Sequence, residues 1–410
     1  MIKHNINIYK KDKENNRLKI ISIVVFIVIY LTDTLLFATS TITLLNLARR
    51  FIPVIIAAFM FFVIKSADSA LILVILSMFS SMVLYRENLY FYISAIALLY
   101  CAYACSKYIS LEEFEEAYIK WMRIIAIISL VCFVLGGVIK SIGIIPTVTN
   151  TADNTYKTLF FTNIPVSNSL SRRNLGPFWE PGVYQYYLNI ALIFVFHKED
   201  KKMKYDVVLF IVTLLTTMSG AAILPLPFIF LAYVLNSKDR KNVKPYIYVI
   251  VFLFLGILLL QTGMFDEIIN KILGKNDDGL SRGFRIGSAV ANIKMAIQYP
   301  LFGADPTLQG ELRAETIQAL NGYATEGNTN TLLGYASYFG IFVAGYLWKR
   351  LYGFCRQISA TTFSTVCLFI AIFLMTSNEN LILSALLYVL MFLKTEISLS
   401  QKKREWKIGI

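Results

Sequence analysis

The sequence predicts an all-α integral membrane protein with about twelve transmembrane helices and two large non-cytoplasmic loops. Apolar residues make up 57% of the 410-residue chain and charged residues only 16%, far outside the soluble norm. Apolar runs of membrane-spanning length recur from about residue 20 to about residue 397, too many for a single anchor or a signal peptide. The lysines and arginines fall mostly in short hydrophilic breaks between these runs, where the positive-inside rule places them. Topology therefore accounts for the net charge of +13, and nucleic acid is not an expected partner.

Residues 1–19 form a basic cytoplasmic N-terminus, with Lys3, Lys10, Lys11, Lys13, Arg17 and Lys19 set against Asp12 and Glu14. A single polytopic domain follows over 20–397. Its expected spans run at about 20–38, 44–64, 68–85, 89–106, 121–144, 182–197, 205–219, 221–236, 245–262, 329–348, 361–377 and 380–396. The basic breaks at Lys198–Lys204, Lys238–Lys244 and Lys349–Arg356, and the basic tail over 398–410, then all lie on the cytoplasmic side. Pro225 and Pro227 make 221–236 the weakest span. The stretch Leu111–Lys120, with Glu112, Glu113, Glu115 and Glu116, reads as a solvated acidic helix face on the same side.

Two histidines, His4 and His197, are too few for a His-based metal site, so metal-free chemistry without a cofactor is expected. The five cysteines lie in or beside apolar runs and imply no structural disulfide. Cys101 and Cys105, one helical turn apart, read as small residues filling a helix interface.

Two loops, at about 145–181 and about 263–328, are too long to be connectors, and alternation puts both on the outer face. The first ends in Arg172, Arg173, Asn174, Leu175, Gly176, Pro177, Phe178, Trp179, Glu180, Pro181 and Gly182, directly before an apolar helix. Composition leaves two uses open: an interfacial turn anchored by Phe178 and Trp179, with Arg173 paired to Glu180 or to lipid phosphate, or a binding site. Tyr184, Tyr186 and Tyr187 read as an aromatic belt that could also stack on sugars, and Asp33 as a cap near the interface. The second loop holds Ser281, Arg282, Gly283, Phe284 and Arg285, then Ile286, Val290, Ile293 and Ile297 at helical spacing, then Tyr299, Pro300, Leu301, Phe302 and Gly303. It reads as a helix along the outer surface, with Arg285, Ser288 and Asn292 on its polar flank, where a guanidinium could meet a lipid-linked phosphate.

In this order the residues resemble the Wzy-type O-antigen polymerases, with the O-antigen ligases as relatives, over most of the chain. The carriers are Arg173, Gly176, Phe178 and Glu180-Pro181-Gly182 before a helix; Thr217, Ser219 and Gly220; Arg285 with Pro300 and Gly303; and Asn330, Gly340 and Gly345. Ligases of this group usually carry a His just before the Asn, whereas Thr329 precedes Asn330 here.

The resemblance implies a glycosyltransferase of the bacterial inner membrane, acting in lipopolysaccharide or other surface polysaccharide biosynthesis. It would transfer a glycan from undecaprenyl diphosphate onto the terminal sugar of a second lipid-linked repeat unit. Membrane lipids and a chain-length regulator are the other expected partners. Mg²⁺ often stabilises a departing diphosphate elsewhere, but fixed guanidinium groups can do the same. Arg173 and Arg285 are accordingly expected to be catalytic, with Glu180 as base or orienting group. Arg172, Arg282, Trp179, Asn292 and Asn330 are expected to bind substrate. Two arginines beside Glu180 should lower its pKa, and Glu326 or Asp305 could replace it as base. The alternatives are an O-antigen ligase, which hands the polymer to a lipid core, and a polysaccharide flippase or carrier. Against the carrier stand the long outer loops and the lack of an evident internal repeat.

Overall fold

The computed structural model describes residues 2–64, 68–86, 88–166, 173–198, 202–236, 279–321 and 326–395. Helix dominates. In chain order the helices are α1 (Ile2–Asp33), α2 (Leu35–Ala38), α3 (Thr43–Val63), α4 (Ser69–Leu84), α5 (Leu89–Tyr108), α6 (Leu111–Val134), α7 (Gly136–Ser141), α8 (Pro181–Lys198), α9 (Met203–Thr216), α10 (Gly220–Ile223), α11 (Leu226–Asn236), α12 (Gly279–Gln298), α13 (Pro306–Asn321), α14 (Thr331–Gln357), α15 (Thr362–Thr376) and α16 (Ala385–Phe392). Among the described residues, five segments are long and apolar enough to cross a membrane: Asn15–Asp33, α3, α5, α6 and α14. Shorter apolar helices are α4, α11 and α15. This is a mainly helical, membrane-embedded architecture. The expected span 245–262 and the basic tail lie outside the described residues.

Sequence explains several boundaries. Ser110 accepts from the Glu113 backbone N–H while the Glu113 carboxylate accepts from Ser110 N, a capping box that starts α6 at Leu111. The expected start near 121 is thus corrected: the acidic stretch is the first part of the membrane helix. Its carboxylates are not merely solvated. Glu113 pairs with Arg17 at 2.8 Å, Glu115 is buried against His197 at 2.9 Å, and Glu116 meets Lys198 at 3.1 Å.

α8 is buried along almost its whole length, surrounded by α6, α9, α10, α11 and α15. Tyr184, Tyr186 and Tyr187 belong to this core and are fully buried, so they form no aromatic belt. Asp33 is buried as well, accepting from Tyr187 Oη at 2.6 Å and Ser384 Oγ at 2.5 Å, which ties α1, α8 and the approach to α16 together.

The first long loop holds an element that the all-α expectation lacks, a three-stranded antiparallel sheet of β1 (Thr147–Thr149), β2 (Thr155–Leu159) and β3 (Thr162–Pro165). Alternation in Thr-Tyr-Lys-Thr-Leu buries Tyr156 and Thr158 and leaves Lys157 outward. The segment after the sheet is threaded as a third partner between it and α1: Leu35 N donates to Pro177 O, Asn163 N to Gly176 O, and Thr34 bridges Phe178. Phe178 is fully buried, its ring 4.3 Å from that of Tyr187.

At the same end of the bundle lies the pair α12 and α13. Ile286, Ile293 and Ile297 face outward and are exposed, whereas Ser288 and Asn292 are fully buried. The expected amphipathic helix is present, with its apolar stripe turned away from the bundle. Its C-terminal turn is clamped to α14, where Gly340 takes φ +85° and breaks the helix. Ile341 N donates to Pro300 O at 2.8 Å and Ala304 N to Ser337 O at 2.8 Å. Any side chain at Gly340 would overlap the Leu301 carbonyl, and one at Gly303 (φ +76°) would meet the Tyr338 backbone at 2.5 Å. On the other side, Ser81 and Tyr85 of α4 donate to the carbonyls of Phe302 and Gly303.

Candidate active site

Glu180 ends the first outer segment and opens α8. Its carbonyl accepts from Val183 N and Tyr184 N, and Pro181 occupies the first helical position, where its missing N–H is not needed. Helix start and packed Phe178 together fix where the side chain leaves the backbone. Beneath it lies Glu379, in the turn between α15 and α16. That turn is pinned to the start of α14: Thr331 Oγ1 donates to Glu379 O at 2.7 Å and accepts from Leu381 N at 2.8 Å. Asn330 Nδ2 donates to Ser377 Oγ at 3.2 Å, while Asn330 Oδ1 caps α14 by accepting from Leu333 N.

The two carboxyls share a hydrogen bond. Glu379 is buried, whereas Glu180 is exposed at the surface above it. A methyl group at Gly182 would overlap the Glu379 carboxylate, so the glycine one residue past Pro181 is what lets the second carboxyl come this close. Arg173 and Arg285 both act on the pair electrostatically. The Arg173 Nε donates to Thr217 O at 3.1 Å, next to Met218, whose φ of +47° turns the chain between α9 and α10. Asn174 N and Nδ2 donate to Thr216 O and Oγ1, so the backbone next to the arginine is held against the C-terminal end of α9. Arg285 is exposed on the first part of α12 and acts on the pair through its charge.

Burial pushes the Glu379 carboxyl well above the usual range, and the neighbouring Glu180 charge raises it further, against the lowering pull of the two arginines. Glu180 is raised as well, because desolvation outweighs Arg173, the Glu379 hydrogen bond and Arg285. The expected lowering of Glu180 is therefore corrected. Two adjoining carboxyls resist ionising together, which favours one shared proton in the pair, with two cations beside it.

Arg173, Glu180 and Arg285, named from the sequence, are thus brought to one place. Asn330 adjoins them and holds the Glu379 turn. Trp179 is half-buried against the cluster of Leu35, Val148, Tyr156 and Leu175. Asn292 is buried, its amide nitrogen donating to Asn328 Oδ1 and its oxygen accepting from Ser337 Oγ and Arg313. Arg172 lies outside the described residues, and for Arg282 only the backbone, within α12, is described. Asp305 caps α13 by accepting from Thr307 N, and Glu326 lies beside Gly310. Sequence reading missed Glu379. Comparison with family models, with curated proteins and with solved structures returns no match.

Proposed function

We propose that the chain is a membrane glycosyltransferase that polymerises a surface polysaccharide, moving a glycan from a polyprenyl diphosphate onto the terminal sugar of a second lipid-linked repeat unit, as Wzy-type polymerases do. The observation that carries this reading is the hydrogen-bonded Glu180–Glu379 pair flanked by Arg173 and Arg285. In a twelve-span topology with both termini cytoplasmic, this group faces the periplasm or cell exterior, where such repeat units are joined.

In the transfer, the acceptor hydroxyl oxygen forms a bond to the anomeric carbon as the bond from that carbon to the diphosphate breaks. The hydroxyl proton passes to Glu180, the exposed carboxylate of the pair, and the electron pair leaves with the diphosphate. Arg173 and Arg285 are pre-oriented charges for that leaving group, stronger at a partly dehydrated site than in water. A raised pKa makes Glu180 a better base than an ordinary glutamate. Glu379, whose carboxyl burial pushes well above the usual range, donates to Glu180 and holds it in one orientation. Protonated Glu180 then releases its proton to solvent.

The test is deletion of the gene in its host, with the surface glycan resolved by length and complementation by wild type or Glu180→Gln. A single repeat unit on its anchor, restored to a ladder by wild type and not by Glu180→Gln, supports a polymerase. Loss of all attached glycan with long lipid-linked polymer accumulating makes the chain a ligase. Repeat units trapped on the cytoplasmic side make it a flippase, and an unchanged ladder overturns the whole reading.

A further inference from the structure

A second feature runs along the side of the bundle, from Asn16 to Leu31 on α1. α3 packs on α5, and between α3, α1, α5 and α16 lies a groove of about 1050 Å³. Its lining runs from Asn16 to Leu31 along α1, a rise of roughly 22 Å at 1.5 Å per residue, most of the thickness of a bilayer's hydrocarbon core. Almost every lining side chain is apolar, among them Ile27, Ile56 and Leu98. Ile20, Ile27 and Ile56 remain exposed, so the groove opens sideways rather than being sealed in the core. The charged side chains in the lining are Arg17 and Lys107, both positive and both at one mouth.

We propose that this groove is a lipid site that takes an acyl chain of an anionic phospholipid, with the phosphate held by Arg17 and Lys107. Arg17 is 59% exposed, and among the described residues its bonds to Glu113 and the Tyr108 carbonyl run through Nη2, with the other guanidinium donors turned to the mouth for a ligand. Lys107 lies over the Tyr103 ring, 4.5 Å from its centroid, which holds the stem and sets the ammonium beside the mouth. The basic tail with Lys402, Lys403, Arg404 and Lys407 is a poor occupant, because its charge matches that of the mouth. A zwitterionic lipid would fill the groove but give the two cations a smaller net charge to hold. The site is independent of the glycosyltransferase reading, and its charged mouth at Arg17 and Lys107 lies at the opposite end of α1 from Thr34, which bridges Phe178.

The test uses the purified full chain, stripped of lipid in a neutral detergent and then titrated with dioleoyl phosphatidylglycerol or dioleoyl phosphatidylcholine. Retained lipid is read by native mass spectrometry and stability by thermal unfolding. Wild type should retain phosphatidylglycerol at least tenfold more strongly than phosphatidylcholine. Lys107→Gln should abolish that preference, and Ile27→Trp, on an exposed lining position, should lower retention of both lipids. Equal retention of the two lipids by wild type would overturn the proposal, as would a preference that survives Lys107→Gln or retention unaffected by Ile27→Trp. Tighter retention of a polyprenyl phosphate, competing phosphatidylglycerol out of the groove, would assign it to a different lipid and equally overturn it.

Discussion

Gly182→Ala is the sharpest single test of the carboxyl pair, because one methyl group is aimed at one side chain. The built Cβ would overlap the Glu379 carboxylate, and the Glu379 backbone cannot yield readily, since Thr331 grips both its carbonyl and Leu381 N. The carboxylate must swing away and lose Glu180. Overpacking of this kind costs about 1–3 kcal/mol. Displacing a group that orients a general base lowers turnover by about 10²-fold, at the low end of what such catalysis contributes. Two controls separate the contact from general damage. Gly345→Ala meets nothing within 4 Å in α14 and should stabilise the helix by about 0.8–1 kcal/mol, with activity intact. Glu379→Ala removes the obstacle, so Gly182→Ala/Glu379→Ala should be more stable than the sum of the two single changes predicts, while turnover stays low. The assay is thermal unfolding of the purified wild type and the four variants, with lipid-linked polymer formation measured alongside. Additive stabilities in that cycle would refute the close approach of Gly182 and Glu379.

Arg173→Ala and Arg285→Ala should each leave an inserted, folded protein whose polymer formation falls by about 10²–10³-fold, with Lys restoring little because it lacks the planar fork; wild-type ladder lengths from both would remove the arginines from the reaction. Because the folded pKa of Glu379 is raised, the folded state holds a proton that the unfolded chain gives up near the usual glutamate range. The pair's stabilisation is therefore complete below that range and is lost as pH rises toward the raised value, and Glu379→Gln should flatten this fall in unfolding scans across pH. Away from the site, Arg123→Ala strips the bidentate partner, at 2.6 and 2.8 Å, from buried Asp206. It should destabilise the protein by about 3–5 kcal/mol while leaving activity per folded molecule unchanged.

Arg173, Glu180 and Arg285 were legible because charges beside Gly, Pro and aromatics at the edge of an apolar run are out of place in a plain connector. Glu379 was not, since it falls in the short break between the expected spans 361–377 and 380–396, where a lone carboxylate gives no sign of burial. Alternation of spans did put that break on the same face as both long loops, which was the available signal. The period-2 pattern in Thr155–Leu159 was likewise present but lay inside a stretch already assigned as loop. For α12, spacing gave the two faces, yet not which one turns inward, because an outer apolar stripe suits a membrane as well as a core does. The pKa of Glu180 went the other way from expectation because charge neighbours can be counted in a sequence and dehydration cannot.

The clamp between Pro300–Ala304 and the break at Gly340 joins main chain to main chain, reinforced by buried Gln309 of α13, whose Nε2 donates to Ala304 O and Ser337 O. Its grip on α12, and so on the station of Arg285, is indifferent to the side chains that decorate the outer surface of α13. That surface can be rewritten, position by position, to suit a different ligand while the guanidinium keeps its place. Gly303 and Gly340 are the two positions at which such drift is forbidden, since each carries a positive φ and faces backbone that a Cβ would strike. The fold thus divides its outer surface into a part free to diversify and a fixed frame, and the boundary between them is drawn by two missing side chains.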